Sequence, residues 1–152
     1  MKHWQRFKTF KLRGEWVELL FMAAAAAHGY HVLTPWGDSL NYDIGIEDGA
    51  HFLRVQVKST ASRKHTGYYC QLRGGGRPCG YDLKRVDIFV CYVVPTNVWY
   101  LIPAALVLTP RPKTGIVLCP GNSAKMQSLQ VRTLPRSLGP ARQRQTGSIP
   151  PQ

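Results

Sequence analysis

Residues 42–58 read Tyr42-Asp43-Ile44-Gly45-Ile46-Glu47-Asp48-Gly49-Ala50-His51-Phe52-Leu53-Arg54-Val55-Gln56-Val57-Lys58. Apolar and polar positions alternate on both sides of Asp48-Gly49, a dipeptide that closes hairpins because it tolerates left-handed backbone. The spacing predicts strands over 42–47 and 50–58. With Asp48-Gly49 as the loop, Glu47 pairs with Ala50, Ile46 with His51, Ile44 with Leu53 and Asp43 with Arg54. Directly paired residues share a face, and side chains alternate along each strand. One face then gathers Tyr42, Ile44, Ile46, Leu53, Val55 and Val57. The other gathers Asp43, Arg54, Gln56 and Lys58, with Asp43 diagonally across from Gln56. A slip of one residue would set Asp43 among the valines, where an unpaired charge is costly.

Working outward, residues 14–28 are rich in Leu, Met and Ala and predict a helix. Gly29 stops it, and Leu20, Ala23, Ala24 and Ala27 form its expected buried stripe. Tyr30 to Leu33 reads as a short strand, and Pro35-Trp36-Gly37-Asp38 as a turn. Residues 59–67 read as a basic loop, 68–72 as a strand and 73–80 as a glycine-rich turn. The nearly continuous apolar run 86–94 predicts a buried strand. Another strand follows at 98–102, closed by Pro103, and then one helical turn at 104–108. These elements define an α/β fold with a mixed β-sheet flanked by helices. The expected domain covers residues 1–119. Residues 120–152, rich in Pro, Gly and Arg, are expected to form a disordered basic tail.

The chain has 152 residues, enough for one domain with a core of its own. No apolar run is long enough for a bilayer, the N-terminus lacks the shape of a secretory signal, and a cytoplasmic location is expected. Cys70, Cys79, Cys91 and Cys119 lack zinc-site spacing and are expected to be reduced thiols, with Cys91 buried. Lys and Arg number 20 against 8 Asp and Glu. The excess lies at the two ends of the chain, while residues 14–51 hold Glu15, Glu18, Asp38, Asp43, Glu47 and Asp48 with no Lys or Arg. A basic body around an acidic pocket suits a polyanion handled with a divalent cation.

The polar face of the hairpin suits phosphodiester hydrolysis, which needs charge neutralised on the phosphate and a water activated near neutral pH. Asp43 can hold a hard cation through oxygen, most naturally magnesium, with manganese as a substitute. Lys58 can donate to the scissile phosphate and steer the water. Gln56 offers an amide oxygen where a second acid would be more usual. Glu15 and Glu18, at i and i+3 on the helix, can both point at this site, although Glu15 also suits a charge at the helix N-terminus.

Asp43 followed by Gln56-Val57-Lys58 on the next strand, after a helix bearing Glu18, resembles the PD-(D/E)XK nuclease superfamily. Gly14-x-x-x-Glu18, Gly29-Tyr30, Pro35, Tyr42-Asp43 and Val55-Gln56-Val57-Lys58 look like the intron-associated homing endonucleases of cyanobacterial type, which also carry Gln in place of the third acid. Holliday-junction resolvases share the pattern more distantly. The resemblance spans roughly residues 11–107. It implies a restriction-endonuclease-like core, Glu18 and Asp43 at the metal with Gln56 beside them, Lys58 at the nucleophile, DNA as partner, and a homo-oligomer, dimer or tetramer. Tyr42 stands where the superfamily has Pro, and Gln56 removes one negative charge.

Lys8, Lys11, Arg13, Arg63, Lys64, Arg73 and Arg77 are the candidate phosphate contacts. Arg73-Gly-Gly-Gly-Arg77 lacks the ending of a phosphate-binding P-loop and reads equally as a plain surface loop. Trp4, Phe7 and Phe10 fit either core or base-stacking roles. Asp87 is expected to pair structurally, and no histidine has a partner at ligand spacing. A non-catalytic DNA-binding module on a degenerate nuclease fold and a junction resolvase stand as the alternative functions.

Overall fold

The computed structural model describes residues 7–37, 39–73 and 81–120. The expectations for Asp38, Arg77, Cys79, Trp4 and the tail beyond 120 lie outside them. The strand that organises the rest is covered on both faces. In chain order the elements are α1 (Phe10–Ala27), β1 (His31–Leu33), β2 (Ile44–Glu47), β3 (Phe52–Thr60), β4 (Arg63–Lys64), β5 (Gly67–Gln71), β6 (Ile88–Val93), β7 (Val98–Pro103), α2 (Ala104–Leu108) and β8 (Gly115–Leu118). Five strands form a sheet in the order β1-β2-β3-β6-β7, and β4-β5-β8 form a second sheet. All pairings are antiparallel except β3 with β6. The expected mixed-sheet α/β architecture is therefore present.

Alternation along β3 divides two cores. Val55 and Val57 join Ile44, Ile46, Ile88, Val90 and Tyr92 beneath Val17, Phe21 and Ala25 of α1. On the opposite face Phe89, Cys91 and Val93 of β6 meet Cys70, Leu72, Leu118 and the α2 residues Ala104, Val107 and Leu108. Cys70, Cys91 and Cys119 are free thiols, the first two buried. Among the described residues no helix is long and apolar enough to cross a membrane.

Several local expectations are corrected. Helix α1 begins at Phe10 rather than 14, because Thr9 caps it: the Thr9 hydroxyl accepts from the Leu12 amide at 3.2 Å. Its buried row is Val17, Phe21 and Ala25, not Leu20, Ala23, Ala24 and Ala27. A run of alanines has no periodicity of its own, so the larger Val and Phe decide which face turns inward. Gly29 does end the helix in left-handed backbone, at φ 85°.

The hairpin loop holds four residues instead of two. Asp48 Oδ1 accepts from Ala50 N at 3.1 Å and His51 N at 2.8 Å, so Glu47 pairs with Phe52, Ile46 with Leu53 and Ile44 with Val55. The register moves by two, and both faces keep their members. Tyr42 is the exception: it leaves the core and packs edge-on against Phe52, ring centroids 6.3 Å apart. Residues 59–67 are not a plain loop, since β3 runs to Thr60 and β4 follows. Strand β8, in a stretch the sequence left unassigned, pairs with β5 from Gly115↔Gln71 to Leu118↔Tyr68.

Asp87 pairs structurally, as its sequence context predicted. Its carboxylate takes Arg54 Nε at 2.8 Å and Nη2 at 2.7 Å, and the Arg54 amide at 2.8 Å. That bidentate pair ties β3 to the start of β6. The second sheet has a tight point at Gly67, where an added Cβ would lie 2.2 Å from the Leu118 carbonyl oxygen. Gly67→Ala should therefore push β5 from β8 and lower stability by about 1–3 kcal/mol. Chemical denaturation of the two proteins would measure it, and equal midpoints would contradict the close approach.

Candidate active site

Strand β2 pairs with β3 only as far as Ile44↔Val55, whereas β3 continues to Thr60. Beyond Val55 the edge of β3 that faced β2 has lost its strand partner, and Val57 would be left with an orphan amide. Asp43 supplies the replacement. Its own N–H donates to the Val55 carbonyl at 2.9 Å, and its Oδ2 accepts the Val57 N–H at 2.8 Å. The Gln56 side-chain amide also donates to Oδ2. Gln56 is 5% exposed, one of two buried polar residues among those described. The acid thus completes a ladder that the strand abandons, and Asp43 lies directly against Gln56 rather than diagonally from it.

Helix α1 reaches the same opening. Val17 is buried against the sheet, so Glu18, one residue on, sits at the border of the buried face and is half-exposed. Burial, then the charges of Asp43 and Glu15, push its carboxyl from 4.5 up to about 7, against a smaller downward pull from Lys58. Asp43 is also raised, by burial first, while the Val57 amide, Lys58 and Gln56 hold it down. Asp43, Gln56 and Lys58 share the face that the hairpin pattern predicts, and the charges of Asp43 and Lys58 are felt at Glu18 on the helix. Glu15 is exposed and, with the helix starting at Phe10, stands outside the first turn, so a role as N-terminal helix charge is excluded.

These donors fit a hard divalent cation: two carboxylates raised by burial, Glu18 also by the charge of Asp43, plus an amide oxygen. No group of three or more His, Cys, Asp or Glu suited to a metal occurs among the described residues. A cation here would take Asp43, Glu18 and Gln56, completed by water and phosphate oxygens.

The basic candidates divide. Lys8, Lys11, Arg63, Lys64 and Arg73 are exposed. Arg13 is half-buried, its Nε donating to Ser59 Oγ at 3.3 Å and its guanidinium 5.1 Å from the Phe10 ring centroid. Arg54, on the site face in sequence, is withdrawn by Asp87. Three participants escaped the sequence reading: Ser59 beneath Arg13, the Val57 amide, and Tyr81, whose ring centroid lies 5.3 Å from Lys58 Nζ. A backbone amide carries no sequence signal, and Tyr81 lies late in the long connection between β3 and β6, far from Lys58 in sequence.

A mixed-sheet α/β core with an acid at a strand fork and a following Gln-x-Lys defines a nuclease of the restriction-endonuclease-like class, and over residues 8–133 the chain belongs to the PD-(D/E)XK endonuclease family. Its structure is similar to that of a bacterial homing endonuclease, I-Ssp6803I, with 27% sequence identity, a TM-score of 0.64, and 81% of this chain and 84% of that one covered. No match was found among curated proteins.

Two outcomes follow from the electrostatics. The folded state holds the protons of Glu18 and Asp43 more tightly than the unfolded chain. Stability from Glu18 is therefore full below about pH 4.5 and is lost as pH rises through about 7. Thermal melts of the metal-free protein should fall across that window, and Glu18→Gln should flatten the slope. Separately, Asp43→Ala should destabilise the fold by about 1–3 kcal/mol because the Val57 amide is orphaned, whereas Asp43→Asn keeps an acceptor there. Denaturant midpoints that are equal for the two variants would contradict that account.

Proposed function

We propose that this endonuclease hydrolyses DNA phosphodiester bonds in a reaction that depends on a divalent metal, magnesium or manganese. The observation that carries the reading is the convergence of two carboxylates with raised pKa, a buried amide and a lysine that makes no ion pair among the described residues, at one fork of the sheet. When bound, a divalent cation would neutralise charge on the scissile phosphate and lower the pKa of water. Asp43 and Glu18 would supply carboxylate oxygens to it, and Gln56 its amide oxygen. Gln56 and the Val57 amide hold Asp43 in place by donating to Oδ2. Lys58 carries a mobile, strongly hydrated charge that suits donation to a non-bridging phosphate oxygen and orientation of the attacking water. The attack is direct, without a covalent enzyme intermediate.

The exposed cations suit contacts to flanking phosphates. Lys8, Lys11 and Arg13 lie at the start of α1, whose Arg13 meets Ser59 near the end of β3, and Arg63 and Lys64 follow that same end on β4. Such contacts position a duplex without reading its sequence. Arg77 belongs to the same proposed set. Likeness to a homing endonuclease supports DNA as the substrate, and a homo-oligomer acting in the cytoplasm belongs to the same proposal. The domain limit at residue 119 and a basic tail beyond it remain part of this reading.

One observation favours a second reading. Gln56 holds Asp43 by a neutral amide and leaves one acid fewer at the fork, which also suits a non-catalytic DNA-binding module. Plasmid nicking with magnesium separates the two. The protein should cut, Asp43→Ala and Lys58→Ala should each lose at least about a hundredfold in rate, and DNA binding should persist in gel shifts. Salt-sensitive binding without cleavage under any divalent metal would establish the module instead. Four-way junctions run beside linear duplex would reveal a resolvase.

A further inference from the structure

Lys58 makes an unusual choice of neighbour. Two carboxylates flank it closely enough for its charge to be felt at both Glu18 and Asp43, and a flexible ammonium beside acids ordinarily pairs with them. Yet among the described residues the ion pairs are His51 with Asp48 and Arg54 with Asp87, and neither involves Lys58. The ammonium instead stands 5.3 Å from the centroid of the Tyr81 ring, within the range of a cation–π contact.

That ring is itself anchored. Tyr81 meets Phe89 edge-on, centroids 5.2 Å apart and planes at 85°, a favoured arrangement for aromatic pairs. Phe89 is fully buried and lies directly beside Gln56 in the parallel β3–β6 register. The lysine and the ring beneath it are therefore held by adjacent strands of one sheet, on the face that bears the site.

We propose that Tyr81 is a positioning residue, its ring face holding the Lys58 ammonium off the Glu18–Asp43 pair so that a cation can take the carboxylate oxygens while the amine faces the phosphate. This rests on the nuclease reading above. A leucine at position 81 would fill similar space without a quadrupole, and Lys58 would then turn to the acids and compete with the metal. The hydroxyl has no part in the contact, so phenylalanine would serve.

The test uses the full chain and its Tyr81→Leu, Tyr81→Phe and Tyr81→Leu/Lys58→Met variants. In the metal-free protein, the Lys58 ε-methylene protons should be shifted upfield by the ring current, and Tyr81→Leu should abolish that shift while Tyr81→Phe retains it. Calorimetric manganese affinity without DNA should fall about tenfold in Tyr81→Leu, the scale of one cation–π contact. It should return in Tyr81→Phe and also in the double variant, from which the competing amine is gone. Single-turnover cleavage should fall by about the same factor in Tyr81→Leu at unchanged DNA affinity, recover in Tyr81→Phe and stay low in the double variant. Equal metal affinity in wild type and Tyr81→Leu, or no ring-current shift in wild type, would overturn the proposal. Absence of cleavage in wild type with the shift and the affinity pattern intact would count against the nuclease reading and leave the role of Tyr81 standing.

Discussion

A strand that outruns its neighbour leaves hydrogen-bonding groups without partners, and this molecule is organised around one such place. Strand β3 goes on past the start of β2, and the amide of Val57 must find an acceptor. Asp43 provides it from the last residue before β2. Without these donors the partly buried carboxylate would be less well held, because burial alone raises its pKa and favours neutrality. The backbone's need for an acceptor and the site's need for an anion are met by the same oxygen atoms. On the other edge of β3 the parallel pairing with β6 is complete, so the fork opens on one side only.

The charges around this fork are deployed so that the anionic character survives. Arg54 and Lys58 are the two cations nearest in sequence to Gln56 on that face, and Asp87 binds Arg54 bidentately, which removes it as a counterion. Lys58 rests on an aromatic face. Arg13 is turned toward Ser59 and the Phe10 ring. What is left at the fork is Asp43, raised by burial, and Glu18, raised by burial and by the charge of Asp43. The surrounding exposed Lys and Arg side chains supply the opposite potential for a polyanion.

Gln56 departs from the acid usual at that position, and its geometry gives the departure a physical sense. Its amide nitrogen donates to the Asp43 oxygen already engaged by Val57, which a second carboxylate could not do while ionised. An amide exchanges one unit of charge for orientation of the remaining acid. Fewer protein anions around a cation place more of the coordination on water and substrate oxygens.

Much of this was legible in the linear chain. Strict alternation in 42–58 placed Asp43, Gln56 and Lys58 on one face even though the expected loop was two residues too short, because a shift of two preserves every side-chain direction. The helix and the buried strand over 88–93 were equally plain from composition. Other features lay beyond local pattern. Which row of α1 turns inward depended on the sheet beneath it, β8 owes its existence to β5, and the ring under Lys58 comes from the far side of a long crossover. Periodicity encodes the direction of a side chain relative to its own strand or helix, a property of neighbouring peptide units. Pairings between distant segments, and the pKa values that follow from shared burial, arise only when separate elements compete for the same volume and exclude the same water.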